Sequence, residues 1–307
     1  MIKVLVATDK PFAPVAVKGI RKVIEDAGFE LVLLEGYTSQ DDLISAVADV
    51  DAVIIRSDKA DKAVIEAGSK LKIIVRAGAG YDNIDLHAAT AKGVIAMNTP
   101  GQNSNAVAEL ALGMMVYYSR GFFSGKQGSE LMGKKLGIHA YGFVGKNVAR
   151  IAKGFGMEVY AFDPFISRQE IEKDGVKWVG TVEELYSICH FVSLHIPANS
   201  QTKLSVNYAL LSRMPIPACL VNTARAEVVN EPDLLKMFQH RADFAYLTDV
   251  EPANKIEIEA GFKAKLFCTP KKMGAQTEEA NINAGIAAAK QIVNFIKGGD
   301  KTFQVNK

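Results

Sequence analysis

The chain has little cysteine and less tryptophan: three of one and a single copy of the other in 307 residues. Cys189, Cys219 and Cys268 lie far apart in the sequence, which excludes a metal-ligand run and a disulfide framework. Such cysteines read as small apolar core residues in a reducing compartment. No apolar run approaches the ~20 residues of a membrane helix. The opening MIKVLVATDK lacks the basic start and long apolar stretch of a secretory signal. A cytoplasmic protein without a membrane partner is the expectation. A net charge of +2, with basic residues scattered, excludes the basic stripe that nucleic acid requires. No metal site, internal repeat or low-complexity tract is expected.

What is present is an ordinary globular composition, 49% hydrophobic and 23% charged, long enough for two cores. The first hundred residues alternate apolar strands with amphipathic helices. Strands are predicted at 3–7, 29–34, 52–56, 71–76 and 94–98. The helix over 15–27 places Val15, Ile20, Val23 and Ile24 at helical spacing, with Gly28 as its cap. Pro100-Gly101 breaks this α/β unit, and Asn103 or Ser104 can cap a long Ala-, Leu- and Met-rich helix through Tyr118. Later strands are predicted at 191–195, 219–222, 244–248 and 266–268, and an Ala-rich last helix at 277–296.

The densest signal runs from Lys135 to Asp163. An apolar strand enters a glycine turn, a helix follows, and a second strand ends in an acid. This is the layout of a dinucleotide-binding unit. Gly142 lets the backbone approach a pyrophosphate, and Gly145 lets the helix pack against the strand. Ala140, Phe143 and Val144 complete the turn, with Ala140 where a first glycine is usual. The helix N-terminus offers free N–H groups to phosphate. A carboxylate at Asp163 accepts hydrogen bonds from a ribose and repels a 2′-phosphate, so NAD is expected over NADP.

Four further segments carry chemistry: Arg76–Asp85 (RAGAGYDNID), Asn98–Leu110 (NTPGQNSNAVAEL), Asn222–Arg225 (NTAR) and Thr269–Thr277 (TPKKMGAQT). The small-residue loop of Gly78, Ala79 and Gly80 can offer successive amides to a carboxylate. Arg225, beyond an apolar strand, suits an α-keto acid with its planar fork. Arg56 and Ser57 end another strand, where a guanidinium and a hydroxyl can hold a phosphate.

In this order, around an inserted nucleotide fold, the chain resembles the D-2-hydroxyacid dehydrogenases, and among them the phosphoglycerate-oxidising members. The resemblance implies an α/β protein with two parallel-sheet domains. Residues 1–98 and 279–307 would form a flavodoxin-like substrate domain, and 99–278 an inserted Rossmann domain that binds NAD. It implies a homodimer, a catalytic Arg225, cofactor contacts from His195, Thr223 and Asp249, and substrate contacts from Arg56, Ser57, Ala77–Gly80 and Asn103. The family places a histidine directly after the Thr-Pro and pairs it with a glutamate. Here Lys271 and Lys272 stand at that place in a motif one residue longer, and Glu251 holds the glutamate's context. Counting from Thr269-Pro270 selects Lys271; counting back from Gly274-Ala275 selects Lys272. The expected reaction is NAD-dependent oxidation of a phosphorylated 2-hydroxy acid, with a lysine as acid/base. The rival readings are a reductase of another small 2-keto acid and a non-catalytic NAD-sensing scaffold.

Overall fold

The computed structural model describes residues 1–306. The chain divides into two compact units, Met1–Asn103 together with the chain from Gln276 onward, and Ser104–Ala275.

The first unit runs β1 (Lys3–Thr8), α1 (Pro14–Asp26), β2 (Glu30–Glu35), α2 (Gln40–Val47), β3 (Ala52–Ile55), α3 (Lys62–Ala67), β4 (Ile73–Arg76), α4 (Leu86–Lys92) and β5 (Ile95–Asn98). Its sheet is parallel with order β2-β1-β3-β4-β5. That is the flavodoxin-like order, with its switch point between β1 and β3. Both faces are covered, so the strands are apolar runs. Val4 and Val6 of β1 enter one core, and Leu5 and Ala7 enter the other. Pro14 starts α1 because a first-turn proline loses no hydrogen bond. Ile20 and Ile24 are buried as expected, but Val15 is 50% exposed. Val15 lies one residue past the proline, outside the stripe that faces the sheet.

The second unit runs α5 (Ser104–Ser119), β6 (Lys135–His139), α6 (Phe143–Gly154), β7 (Glu158–Phe162), α7 (Arg168–Lys173), β8 (Lys177–Trp178), α8 (Val182–Ile188), β9 (Phe191–Leu194), α9 (Tyr208–Leu211), β10 (Cys219–Asn222), α10 (Glu231–His240), β11 (Ala245–Thr248), α11 (Lys255–Phe262) and β12 (Leu266–Cys268). The sheet order is β12-β11-β10-β9-β6-β7-β8, all parallel. This is the Rossmann order extended by one strand, with its switch point between β6 and β9. The chain then returns through α12 (Glu278–Gly298), capped by Thr277, to the first unit. There Ala284, Ala288, Ala289 and Ile292 join Ile20 and Ile24 in one core. Small residues are needed at this contact: a Cβ on Gly285 would stand 2.9 Å from Ile20.

Among the described residues, no helix is long and apolar enough to cross a membrane, and no cluster of three or more His, Cys, Asp or Glu could hold a metal.

Candidate active site

The nucleotide turn is built by close approach. A Cβ on Gly145 would lie 2.4 Å from the Ala140 carbonyl oxygen and 2.9 Å from Ile138, so only glycine lets α6 start against β6. Gly142 caps α6 with open space around it. Phe143 and Val144 form the first turn of the helix, and Phe143 is exposed. Ala140 stands at φ 83°, the left-handed region in which a Cβ is strained. The usual glycine of this position has a conformational cause, and this chain keeps the conformation with alanine. Asp163 fixes the turn from the end of β7: its carboxylate accepts from the Tyr141 amide at 2.8 Å and from the Phe165 amide at 2.8 Å.

Beyond the turn, the strand ends are level. Asn222 lies opposite both Leu194 and Thr248, so the next residues, His195, Thr223 and Asp249, line the C-terminal edge of three neighbouring strands. Each is buried or nearly so, and each carries an atom without a hydrogen-bond partner: His195 Nε2, Thr223 Oγ1 and Asp249 Oδ1. Buried polar groups are rarely left unpaired, and such a cluster fits a polar ligand. The edge above a parallel sheet is where α/β proteins bind nucleotides. The amide and ribose groups of a dinucleotide's nicotinamide end have the donors and acceptors these atoms need. Burial lowers the His195 pKa to about 3, with His139 nearby, so the ring is neutral and keeps one donor and one acceptor nitrogen.

Asn222 shapes the loop that follows. Its side-chain amide donates to the Arg225 carbonyl at 2.9 Å and to Tyr246 Oη at 3.0 Å, and its oxygen accepts from the Ala224 amide at 2.9 Å. Two cations then meet on one acceptor. The Ala224 carbonyl accepts from Lys272 Nζ at 2.7 Å and from Arg225 Nη1 at 3.0 Å. Desolvation and the charge of Arg225 lower the Lys272 pKa from the ordinary lysine value, against weaker pulls from Asp249 and Glu227. The Lys272 turn is held from within. Thr269 Oγ1 donates to the Lys271 carbonyl at 2.7 Å, and Asp249 Oδ2 accepts from the amides of Gly274 (2.7 Å) and Met273 (3.3 Å). Both Lys271 and Lys272 are exposed along their length; the Lys272 Nζ alone is turned in, onto the Ala224 carbonyl. Glu251 is turned elsewhere, in an exposed ion pair with Lys255 at 3.0 Å. The carboxylate that reaches the lysine turn is Asp249.

In the five-stranded unit, Arg56 follows β3 at the switch point. Its guanidinium donates to the Lys10 carbonyl (3.1 Å) and to Asn281 Oδ1 (2.7 Å), and lies 4.9 Å over the Phe12 ring. Ser57 beside it is exposed. The Ala77–Gly80 loop leaves β4 with only part of its amide row open. Ala77 N–H donates to Ile55, and Gly78 N–H donates back to Arg76. The Ala79 carbonyl accepts from Asn98 and the Gly78 carbonyl from the Thr99 amide. Among the described residues, the amides of Ala79 and Gly80 have no protein partner. Gly78 stands at φ 153°, a conformation that side chains rarely adopt, and the Arg76 guanidinium takes the space a Cβ would fill, with Nη1 1.5 Å from it. Asn103 sits just ahead of α5, half-buried.

Two residues, one in each unit, open the motifs without an expected role of their own. Arg76, whose Nε donates to the Arg56 carbonyl at 3.0 Å, lies across the small-residue loop. Asn222, fully buried, sets the Arg225 loop. Each is the last residue of its strand, the one available signal.

The two parallel sheets, the glycine turn and the cation pair at a strand end define a nucleotide-linked α/β dehydrogenase fold. The chain belongs to the D-isomer specific 2-hydroxyacid dehydrogenases, whose catalytic-domain pattern matches residues 6–306. It is 35% identical over 315 residues to the D-3-phosphoglycerate dehydrogenase of Methanocaldococcus jannaschii, covering 97% of this chain and 58% of that protein. It is 34% identical over 304 residues to the Rattus norvegicus D-3-phosphoglycerate dehydrogenase, covering 93% and 56%. The chain thus spans less than two thirds of the length of these curated relatives. Among solved structures, the NAD+-bound 3-phosphoglycerate dehydrogenase of Entamoeba histolytica superposes with TM-score 0.86 and 47% identity, over 100% of this chain and 99% of that one. The Escherichia coli D-lactate dehydrogenase, at 24% identity and TM-score 0.79, shares the fold.

Proposed function

We propose that this chain is an NAD-dependent dehydrogenase that oxidises D-3-phosphoglycerate to 3-phosphohydroxypyruvate. The observation that carries the reading is the convergence of Lys272 and Arg225 on the Ala224 carbonyl. Family membership and the likeness to phosphoglycerate dehydrogenases support it.

The cofactor would be held by the Ala140–Gly145 turn, Asp163, His195, Thr223 and Asp249. When bound, its nicotinamide ring supplies the acceptor for the hydrogen on substrate C2. Arg225 clamps the carboxylate and the C2 oxygen with two parallel N–H groups, and stabilises the polarised carbonyl as it forms. Lys272, in its neutral form, takes the C2 hydroxyl proton. An ordinary lysine is protonated at neutral pH, and the desolvation and Arg225 charge that lower its pKa bring it toward the range of a working base. An ammonium needs no tautomer-fixing partner, which accords with a Glu251 paired to Lys255. The Ala79 and Gly80 amides receive the substrate carboxylate, and Arg56 with Ser57 the phosphate, with Asn103 as a further substrate contact. The same reading includes a homodimer and a cytosolic setting.

Lys272→Met and Lys271→Met separate the two lysines. Lys272→Met should reduce kcat by about a thousandfold while NADH binding, read by fluorescence, persists; Lys271→Met should stay within about tenfold. Full activity in Lys272→Met would remove the lysine from the mechanism. Absence of NADH turnover with phosphohydroxypyruvate in the unaltered chain would favour the non-catalytic NAD-binding scaffold.

A further inference from the structure

A cavity of about 330 Å³ lies at the other end of the seven-stranded sheet, away from His195 and Thr223. Phe191 and Cys219, the first residues of β9 and β10, stand in its wall with Pro217. Four-residue strands separate this end from the nucleotide edge by about 13 Å. The volume falls at the lower end of the range of small-molecule pockets.

The wall is apolar on the strand side and polar on the helix side. Ser119, at the end of α5, is 7% exposed, and its hydroxyl, without a hydrogen-bond partner, is closed off from the cavity. The loop after the helix cannot supply one by sliding. Ser129 N–H is bound to the Ser119 carbonyl at 2.7 Å, and a Cβ on Gly128 would meet that oxygen at 2.5 Å. Tyr118 offers a phenol that burial keeps protonated, its pKa pushed up to about 12. Burial likewise raises the Cys219 thiol and keeps it neutral. Lys134 is the charged residue of the lining, and it has no ion-pair partner among the described residues. No carboxylate lines the cavity.

We propose that this cavity is a second binding site, for a small carboxylate with an apolar body. The ring of Phe191 and Pro217 pack the body, Lys134 meets the charge, and the hydroxyl of Tyr118 donates to a carboxylate oxygen. The site is independent of the catalytic reading, because none of its residues belongs to the nucleotide edge.

The test is isothermal titration of benzoate, with benzyl alcohol as the uncharged control, into full-length Arg225→Met, in which the main carboxylate clamp of the proposed active site is absent. Saturable benzoate binding should weaken about tenfold in Lys134→Met and vanish when Ala218→Trp fills the cavity; benzyl alcohol should bind about tenfold more weakly than benzoate. Tyr118→Phe, which keeps the ring and removes only the hydroxyl, should weaken binding severalfold. Benzoate binding that is unmoved by Lys134→Met and Tyr118→Phe overturns the proposal. So does the absence of binding. If Ala218→Trp instead splits a dimer in sedimentation while benzoate does not bind, the cavity is an interface between copies of the chain, and the proposal fails.

Discussion

The two sheets treat their C-terminal edges differently. At the five-stranded edge, the polar groups mostly satisfy one another. Asp58, at 6% exposure, accepts from the amides of Asp9 and Arg56 and from Tyr37. Arg56 ties Lys10 to Asn281, and Arg76 and Asn83 both reach the Arg56 carbonyl. The exceptions are Thr99, with an unpaired hydroxyl, and the open amides of Ala79 and Gly80. At the seven-stranded edge, three strand ends in register leave buried atoms unpaired. A self-satisfied edge is a rigid platform. An edge with unmet hydrogen bonds is more stable once a ligand meets them. The difference separates a scaffold that positions a few groups from a surface shaped by what it binds.

The sharpest way to break this comparison is to remove one arginine from each edge. Arg225 bonds only to its own neighbour's carbonyl, so Arg225→Met should lower kcat/KM about a thousandfold (~4 kcal/mol) and leave the urea midpoint in place. Arg56 holds three segments together, so Arg56→Ala should raise KM for the phosphorylated substrate and also cost about 2 kcal/mol of stability. An Arg56→Ala protein of unchanged urea midpoint would show that the five-stranded edge is not self-supporting.

The next effect is a pH dependence confined to the nucleotide unit. Burial lowers His139 to about 4 and His195 to about 3, from 6.5. Both are neutral in the folded protein, whereas the unfolded chain takes up protons below 6.5. Their contribution to stability is therefore complete above pH 6.5. It is lost as pH falls toward the folded values, by up to about 1.4 kcal/mol per pH unit for each histidine. Urea unfolding at pH 7 and pH 5, repeated on His139→Gln, would measure it; equal losses in both proteins would remove His139 from the account.

The smallest effect sharpens the view of the nucleotide turn. Ala140 carries left-handed strain, so Ala140→Gly should relieve up to about 1 kcal/mol of it and leave NADH affinity unchanged. A net loss of stability on thermal unfolding would show that the Cβ contributes packing that outweighs the strain.

Much of this was legible from residue order. Apolar runs of four to six residues between amphipathic helices can only be parallel strands buried on both faces, and the β6–α6–β7 segment carries its turn chemistry in its glycines. Val15 falls outside the buried stripe because periodicity marks a stripe without its limits. The short strand β8 and the helices α7, α8, α9, α10 and α11 lie outside the elements the sequence predicts. β8 has two residues, too few for a period.

The order of the chain determined the two parallel sheets, the nucleotide turn and the family. These follow from local patterns: the alternation of strand and helix, a glycine where a Cβ cannot fit, and an acid at a strand end. Tertiary structure decided what lies beside what. It put Lys272 on the Ala224 carbonyl with Arg225, turned Glu251 to Lys255, brought Asp249 to the lysine turn, and set Lys134 in the wall of a cavity. Each of these joins segments separated in sequence or chooses between adjacent side chains. The choice depends on a few hydrogen bonds that close only when the sheet brings the strand ends level.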